Sequence, residues 1–378
     1  MSDYIWRDRR HAVSSDDSPL SQPILLENAS PMSDMSPPAR SPTPRVKPRL
    51  AITIGDAAGV GPEIALACAA NEEIRSRCQP ILIGPTPVLR MVAETLSLEM
   101  PTMMSIDALN RQISCPSGLI DCGEVPIESF VLGQFSDSTG RASFLAVELA
   151  IRETLAGNFD AIVTGPIQKE AWHAAGTGYL GHTELLAERT GVTEFCMMLT
   201  GKSCSTVLAT IHLPLIDAID ALSIDSIARA IRLGGSAMER RNGRPPRITV
   251  LGLNPHAGEN GLLSHGEEEN LILPAIERIR NWSDSENREW KISGPVPPDT
   301  AFTPAMRAAT DVHICMYHDQ GLIPLKALSF DDAVNVTLGL PVVRTSVDHG
   351  TAMDLAWKGS ASANSMLAAI KMAIDLCR

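Results

Sequence analysis

The chain has 378 residues, 44% of them apolar and 20% charged, enough for two ordinary domains that each bury a core. A net charge of −12 speaks against a phosphate-backbone partner, and an aromatic content of 4% speaks against stacking platforms for single-stranded nucleic acid. An anionic small molecule is not excluded, because a local Lys/Arg pocket overrides the global sign.

No apolar run approaches the roughly 20 residues that span a bilayer, so no membrane partner is expected. Arg7, Arg9 and Arg10 lie among Asp3, Asp8, Asp16 and Asp17 with no apolar segment following, so no export signal is expected either. Cys68, Cys78, Cys115, Cys122, Cys196, Cys204, Cys315 and Cys377 form no CxxC pair, and free thiols in a reducing cytoplasm are expected.

Residues 1–47 are dominated by proline and serine, as in Ser36-Pro37-Pro38 and Ser41-Pro42-Thr43-Pro44, and show no hydrophobic periodicity. Such a segment cannot bury enough to offset its ordering entropy and reads as a disordered extension. At Leu50 the pattern changes. Leu50–Ile54 predicts a strand, Gly55–Glu63 a glycine-rich turn, and Pro62 opens a helix over Ile64–Ala70. The turn lacks the GxGxxG spacing, and taken alone it reads as a packing turn before a binding loop.

Strands and helices then alternate. Strands are expected at Pro80–Ile83, Asp160–Val163, Phe195–Leu199, Thr206–Ile211, Arg247–Leu251 and Asp311–Met316. Helices are expected at Thr139–Leu155, from Gly181-His182-Thr183-Glu184 onward, and at Ile224–Arg240, Glu267–Trp282 and Ser362–Cys377. The alternation predicts an α/β fold with a mixed or parallel sheet.

His212, His256 and His318 each follow an apolar run and stand where a strand should give way to a loop. Ligands of open α/β sheets gather outside strand carboxyl ends, and three neutral imidazoles with an open position are a catalytic metal set, usually for zinc. For any one of them the bland alternative is a hydrogen-bonded loop residue. The stretch from Met316 to Leu355 concentrates further chemistry: His318, Asp319, Lys326, Asn335, Arg344 and the Asp348-His349-Gly350 turn lie among apolar runs such as Val334–Leu338. Isolated polar groups in apolar sequence suit a mostly buried site, and a lysine with an arginine suits a phosphate or carboxylate.

From about Arg49 onward the chain resembles the 4-hydroxythreonine-4-phosphate dehydrogenase family of pyridoxal phosphate synthesis. The motifs that carry the resemblance are Gly55–Glu63, Thr164-Gly165-Pro166, Gly181–Glu184, Ile211–Leu215, Leu253–Gly258, Pro298-Asp299-Thr300, Met316–Gly321, Asn335–Pro341 and Arg344–Ala352. The resemblance extends to the isocitrate and isopropylmalate dehydrogenases. It implies a two-domain α/β fold with mixed sheets and an active site in an interdomain cleft at a dimer interface. The implied boundaries are 48–165 plus 332–378 for the cofactor side and 166–331 for the metal, substrate and dimerisation side.

By matching position, the resemblance implies that His212, His256 and His318 hold one divalent ion (Zn, Mg or Co), one of them supplied across the homodimer. His182, Thr183, Lys326, Asn335 and Arg344 would contact a small phosphorylated hydroxy-amino acid, His182 and Lys326 also serving catalysis. Gly55, Asp348, His349, Gly350 and Thr351 would line the NAD or NADP site. Ala57 stands where the family usually has proline, Gln168 where it commonly has asparagine or histidine, and the 289–298 region reads as a surface insertion. Rival expectations are a relative oxidising 4-phosphoerythronate, 4-phosphothreonate or a cis-dihydrodiol dicarboxylate. More distant is a phosphate acyltransferase without redox chemistry.

Overall fold

The structure is a computed structural model that describes residues 47–111, 113–123, 125–126 and 130–377; the proline- and serine-rich extension lies outside the described residues except for Lys47. In chain order the elements are β1 (Arg49–Thr53), α1 (Gly61–Ala70), α2 (Glu72–Arg77), β2 (Gln79–Gly84), α3 (Thr86–Leu96), β3 (Thr102–Met103), α4 (Ile106–Asn110), β4 (Gly118–Asp121) and α5 (Asp137–Leu155). Then come β5 (Ala161–Thr164), α6 (Lys169–Ala174), α7 (His182–Thr190), β6 (Cys196–Thr200), β7 (Ser205–Leu208), α8 (Leu215–Asp220), α9 (Ile224–Asn242) and β8 (Arg247–Leu251). The last are α10 (Leu273–Ser285), β9 (Lys291–Val296), α11 (Pro304–Ala309), β10 (Val312–Cys315), α12 (His318–Ser329), β11 (Val334–Leu338), β12 (Val343–Val347) and α13 (Asn364–Leu376).

Twelve strands form one continuous sheet in the order β3-β4-β2-β1-β5-β12-β11-β6-β7-β10-β8-β9. The strands from β3 to β12 are mutually parallel, as are those from β7 to β9. Between the two parallel flanks, β11 runs antiparallel to both β12 and β6, and β6 runs antiparallel to β7. The α/β class with a large mixed sheet is as expected, but the sheet is single. The reason is β11, whose two edges are both hydrogen-bonded.

Alternate residues of the parallel flank enter different cores. Leu50, Ile52 and Leu82 join the cluster under α1, α3, α9 and α13. Ala51, Ile81 and Ile83 join the cluster with Trp172, Leu185 and Leu186. A parallel sheet covered on both faces accounts for strands that read as unbroken apolar runs.

Three local expectations need correction. The strand expected to reach Ile211 stops at Leu208; Ala209 N still bonds the Cys315 carbonyl, and Thr210 Oγ1 donates to Met316 O at 2.8 Å, but His212 is already left-handed at φ 50°. His318 opens a helix rather than closing a strand. Gly321 and Pro324 disguise that helix, yet the glycine is a packing requirement: a Cβ there would stand 2.8 Å from Leu208 Cδ2. The 289–298 stretch does not stand off the surface but carries β9, the sheet edge beside β8, with Trp290 and Ile292 buried.

Candidate active site

The turn after β1 is built by close approach. Gly55 has φ +75°, and a Cβ on it would overlap the Pro166 carbonyl oxygen. Asp56 N donates to that same oxygen at 2.9 Å. The Asp56 carboxylate accepts from Ala58 N and Thr139 Oγ1; burial, partly opposed by these bonds, pushes its pKa above the usual carboxylate range. On the other side Val60 N bonds Thr351 O, and Thr351 Oγ1 donates to Gln168 Oε1 at 2.9 Å. Gly55 and Thr351 are therefore packed parts of one knot, whereas His349 and Gly350 are exposed at its rim.

β12 and β11 carry the next group. Arg344 is 3% exposed; its Nη1 donates to Thr337 Oγ1 at 3.0 Å and its Nη2 to Thr164 Oγ1 at 2.8 Å. Burial lowers its pKa to about 10, against the favourable field of Glu184, so it stays charged at neutral pH. His182, at the first turn of α7, packs edge-on to Trp172 at 5.5 Å. Burial, assisted by the Arg344 charge, holds its pKa well below the ordinary imidazole value, so it is neutral. Thr183, beside it, is partly exposed.

Three buried atoms here have no hydrogen-bond partner: His182 Nε2, Arg344 Nε and Asn335 Oδ1. Buried polar atoms in native proteins are nearly always satisfied, so orphans clustered among site candidates mark room for a ligand. Lys326 lies in α12 and forms a 2.8 Å ion pair with Asp348, joining a candidate substrate residue to a candidate cofactor residue.

The histidines come off adjacent strands, since β10 lies between β7 and β8. The His212 and His318 rings are 5.8 Å apart. Asp319 Oδ1 stands 2.7 Å from His318 Nδ1; a carboxylate only accepts, so Nδ1 carries a proton and Nε2 is the ring atom left for a ligand. Burial, together with the His318 and Lys169 charges, lowers the pKa of His212, while Glu184 opposes them. Two imidazoles, one braced by a carboxylate, fit a divalent metal as ligands.

His256 is exposed on a separate loop, and no cluster of three or more His, Cys, Asp or Glu able to hold a metal occurs among the described residues. A single chain thus brings two of the three expected ligands together. The loop of His256 is itself unusual: His256, Ala257, Gly258, Glu259 and Asn260 all have positive φ, forming a left-handed turn. Glu268, 1% exposed, holds its entrance by accepting from Leu253 N at 2.9 Å and Asn254 N at 2.8 Å. Gln320 ties the two loops, accepting from Met316 N at 2.7 Å and donating to Gly252 O at 2.8 Å.

Sequence reasoning missed Lys169, Glu268 and Gln320 as site residues. Glu268 sits in a Glu267-Glu268-Glu269 run that reads as a solvated helix start, and only folding reveals its burial. Lys169 had a usable signal, standing three residues after Pro166 in the loop that leaves a strand end.

A family profile described as "Pyridoxal phosphate biosynthetic protein PdxA" matches residues 76–373. A 4-hydroxythreonine-4-phosphate dehydrogenase from Desulfosudis oleivorans is 43% identical over 331 residues, covering 87% of this chain and 96% of the relative. A D-threonate 4-phosphate dehydrogenase from Cupriavidus necator is 41% identical over 332 residues, covering 87% and 97%. Among solved structures, a 4-hydroxythreonine-4-phosphate dehydrogenase from Burkholderia phymatum matches with a TM-score of 0.75 at 39% identity, covering 88% of this chain and 99% of that one. Likeness of this depth over nearly the whole of each partner leaves one conclusion: the chain belongs to the pyridoxal phosphate biosynthetic protein PdxA family.

Proposed function

We propose that the chain catalyses an NAD(P)-dependent, divalent-metal-dependent oxidation of 4-phosphohydroxy-L-threonine to 2-amino-3-oxo-4-(phosphohydroxy)butanoate. Decarboxylation to 3-amino-2-oxopropyl phosphate follows, within pyridoxal phosphate biosynthesis. The observation that carries this reading is the set of buried, unbonded atoms on Arg344, His182 and Asn335, together with the paired rings of His212 and His318. A phosphate fits the first and a metal-chelating hydroxyl the second.

When bound, the divalent ion would supply Lewis acidity at the reacting hydroxyl and at the enolate of the keto acid, and NAD(P) would accept the hydride. The chain's own residues do the rest. Arg344 is pinned by Thr164 and Thr337 so that its charge has one direction to act in. His182 is neutral and buried, with Nε2 unbonded, so it can accept or donate one hydrogen bond at the substrate without bringing a charge. Asp319 orients His318. Thr183 and Asn335 add hydrogen bonds, and Lys326 reaches the same region from its pairing with Asp348.

On this reading His256 completes the metal set across the interface of a homodimer, in a cleft between a cofactor side (48–165 plus 332–378) and a metal side (166–331). The exposed Leu213, Leu215, Ile216, Leu262 and Ile323, on the loops and helices around those ligands, suit burial against a second copy. Gly55, Asp348, His349, Gly350 and Thr351 line the nicotinamide-cofactor side. No described helix is long and apolar enough to cross a membrane, which agrees with a cytoplasmic enzyme.

A second reading, oxidation of a 4-phosphorylated 2-hydroxy acid, is favoured by the D-threonate 4-phosphate dehydrogenase relative. Formation of reduced nicotinamide from each phosphorylated acid, with and without chelator, tests both. The chelated protein and the His256→Ala variant should be inactive while remaining folded. Turnover surviving either treatment, or no turnover of the 2-amino substrate, would overturn the primary reading.

A further inference from the structure

Asp348 follows β12 in the turn that also carries His349, Gly350 and Thr351, yet its carboxylate meets a residue of α12. Asp348 Oδ2 stands 2.8 Å from Lys326 Nζ, with the two side chains 16% and 37% exposed. The carboxylate is the fixed member of this pair. Asp348 N donates to Ser365 Oγ at 3.2 Å, and Ser365 Oγ donates in turn to Ala333 O at 2.8 Å. Ser365 is buried in the first turn of α13, so one hydroxyl ties the end of β12 to the residue that precedes β11. Lys326 has no such anchor of its own. Beyond Asp348, its ammonium meets the exposed Phe330 ring, whose centroid lies 5.8 Å from Nζ.

We propose that Asp348 is the positioning residue of Lys326, its carboxylate fixing the ammonium so that the donors left over meet the substrate phosphate. The inference rests on the dehydrogenase reading above and deepens it. It gives the Asp348 side chain to the phosphorylated substrate, although its turn stands on the cofactor side.

The chemistry of a lysine requires such a partner. Its stem has four rotatable bonds, and ordering it when a ligand arrives costs affinity that an existing contact avoids. An ammonium has three donors; one goes to Asp348, and two remain for phosphate oxygens. The carboxylate does not make the site anionic, because the lysine it holds offsets it. Arg344, whose bonds go to two threonine hydroxyls, adds the net positive charge that a phosphate needs.

The test measures KM for 4-phosphohydroxy-L-threonine and for NAD separately in wild type, Asp348→Asn, Asp348→Glu and Ser365→Ala. Calorimetric affinity for the phosphorylated substrate without cofactor is the second readout. Asp348→Asn should raise the substrate KM and dissociation constant about 5- to 50-fold, with kcat and the NAD KM within about 3-fold. Asp348→Glu should recover part of that loss, and Ser365→Ala should show the same split at about 2- to 10-fold. In a Lys326→Met background, Asp348→Asn should weaken substrate binding by less than about 2-fold, since a residue that acts only through the lysine has nothing left to position. Additive losses in that double variant would overturn the assignment. So would a rise in NAD KM alone, or equal rises in both KM values. A wild-type protein that binds the phosphorylated acid and never oxidises it would sink the dehydrogenase reading alone, because the calorimetric cycle still judges Asp348. Failure of the wild type to bind it would remove both.

Discussion

Glu268→Ala is the sharpest perturbation of the ligand-bearing loops. The left-handed turn from His256 to Asn260 includes four residues other than glycine, and L-residues in that conformation cost about 1–2 kcal/mol each. Strain of roughly 4–8 kcal/mol persists only where neighbouring contacts hold it. The Glu268 carboxylate supplies them, accepting from Leu253 N, Asn254 N and, at 3.1 Å, Asn254 Nδ2. A hydrogen bond to a charged group is worth about 1.5–3 kcal/mol, and removing the acceptor leaves two main-chain N–H groups seeking water. Because such losses are not additive, Glu268→Ala should destabilise the protein by about 3–5 kcal/mol, and Glu268→Gln, which keeps one acceptor oxygen, by about 1–2 kcal/mol.

If the turn exists to present His256, affinity for a divalent ion should fall by about 10- to 100-fold in the alanine variant. Urea unfolding reads the first quantity and calorimetric titration with zinc or cobalt the second. Unchanged stability would refute the hydrogen-bond argument. A destabilised variant with wild-type metal affinity would refute the link between the turn and the metal.

Three further outcomes are expected. Gly55→Ala places a Cβ into the Pro166 carbonyl at φ +75° and should cost more than about 2 kcal/mol, whereas Gly350→Ala, with nothing within 4 Å, should stay within about 0.5 kcal/mol; thermal unfolding compares them. Arg344→Lys exchanges a planar fork for a point charge and forfeits one or both threonine bonds, so kcat/KM for a phosphorylated substrate should drop about 10- to 100-fold without loss of fold. Partial burial raises the Asp311 carboxyl, but bonds from Arg244 and Arg247 outweigh it and hold the pKa far below the ordinary range. A carboxylate with a depressed folded pKa contributes stability that is present above its unfolded value of about 4 and is lost as pH falls further. Acid titration of stability should therefore be less steep below about pH 4 in Asp311→Asn, with wild-type steepness counting against that pairing.

Much of the fold was legible because its causes are local. Leu50–Ile54, Asp160–Val163 and Arg247–Leu251 are unbroken apolar runs, which is what a parallel sheet covered on both faces requires, and Ser136 and Ser223 cap the long helices α5 and α9 with side chains. Less legible was α12, where Gly321 and Pro324 argue against a helix until the contact of Gly321 with Leu208 is known. The 289–298 segment had no local sign that it would find an edge beside β8.

The site divides in the same way. Strand-end position drew attention to His212, His256 and His318, and isolated polar groups in apolar sequence to Lys326, Asn335 and Arg344, whereas His182 and Thr183 entered through the family resemblance. That Arg344 is buried and pinned by Thr164, that Lys326 is committed to Asp348, and that Glu268 is an interior hydrogen-bond acceptor depend on residues brought together from far along the chain. The sequence by itself determined the alternation of strands and helices and the chemistry available at their ends. Only the tertiary structure decided which charges were spent on one another and which, like Lys169 and Glu184, were left without a partner among the described residues, because pairing depends on distance in space and sequence order does not set it.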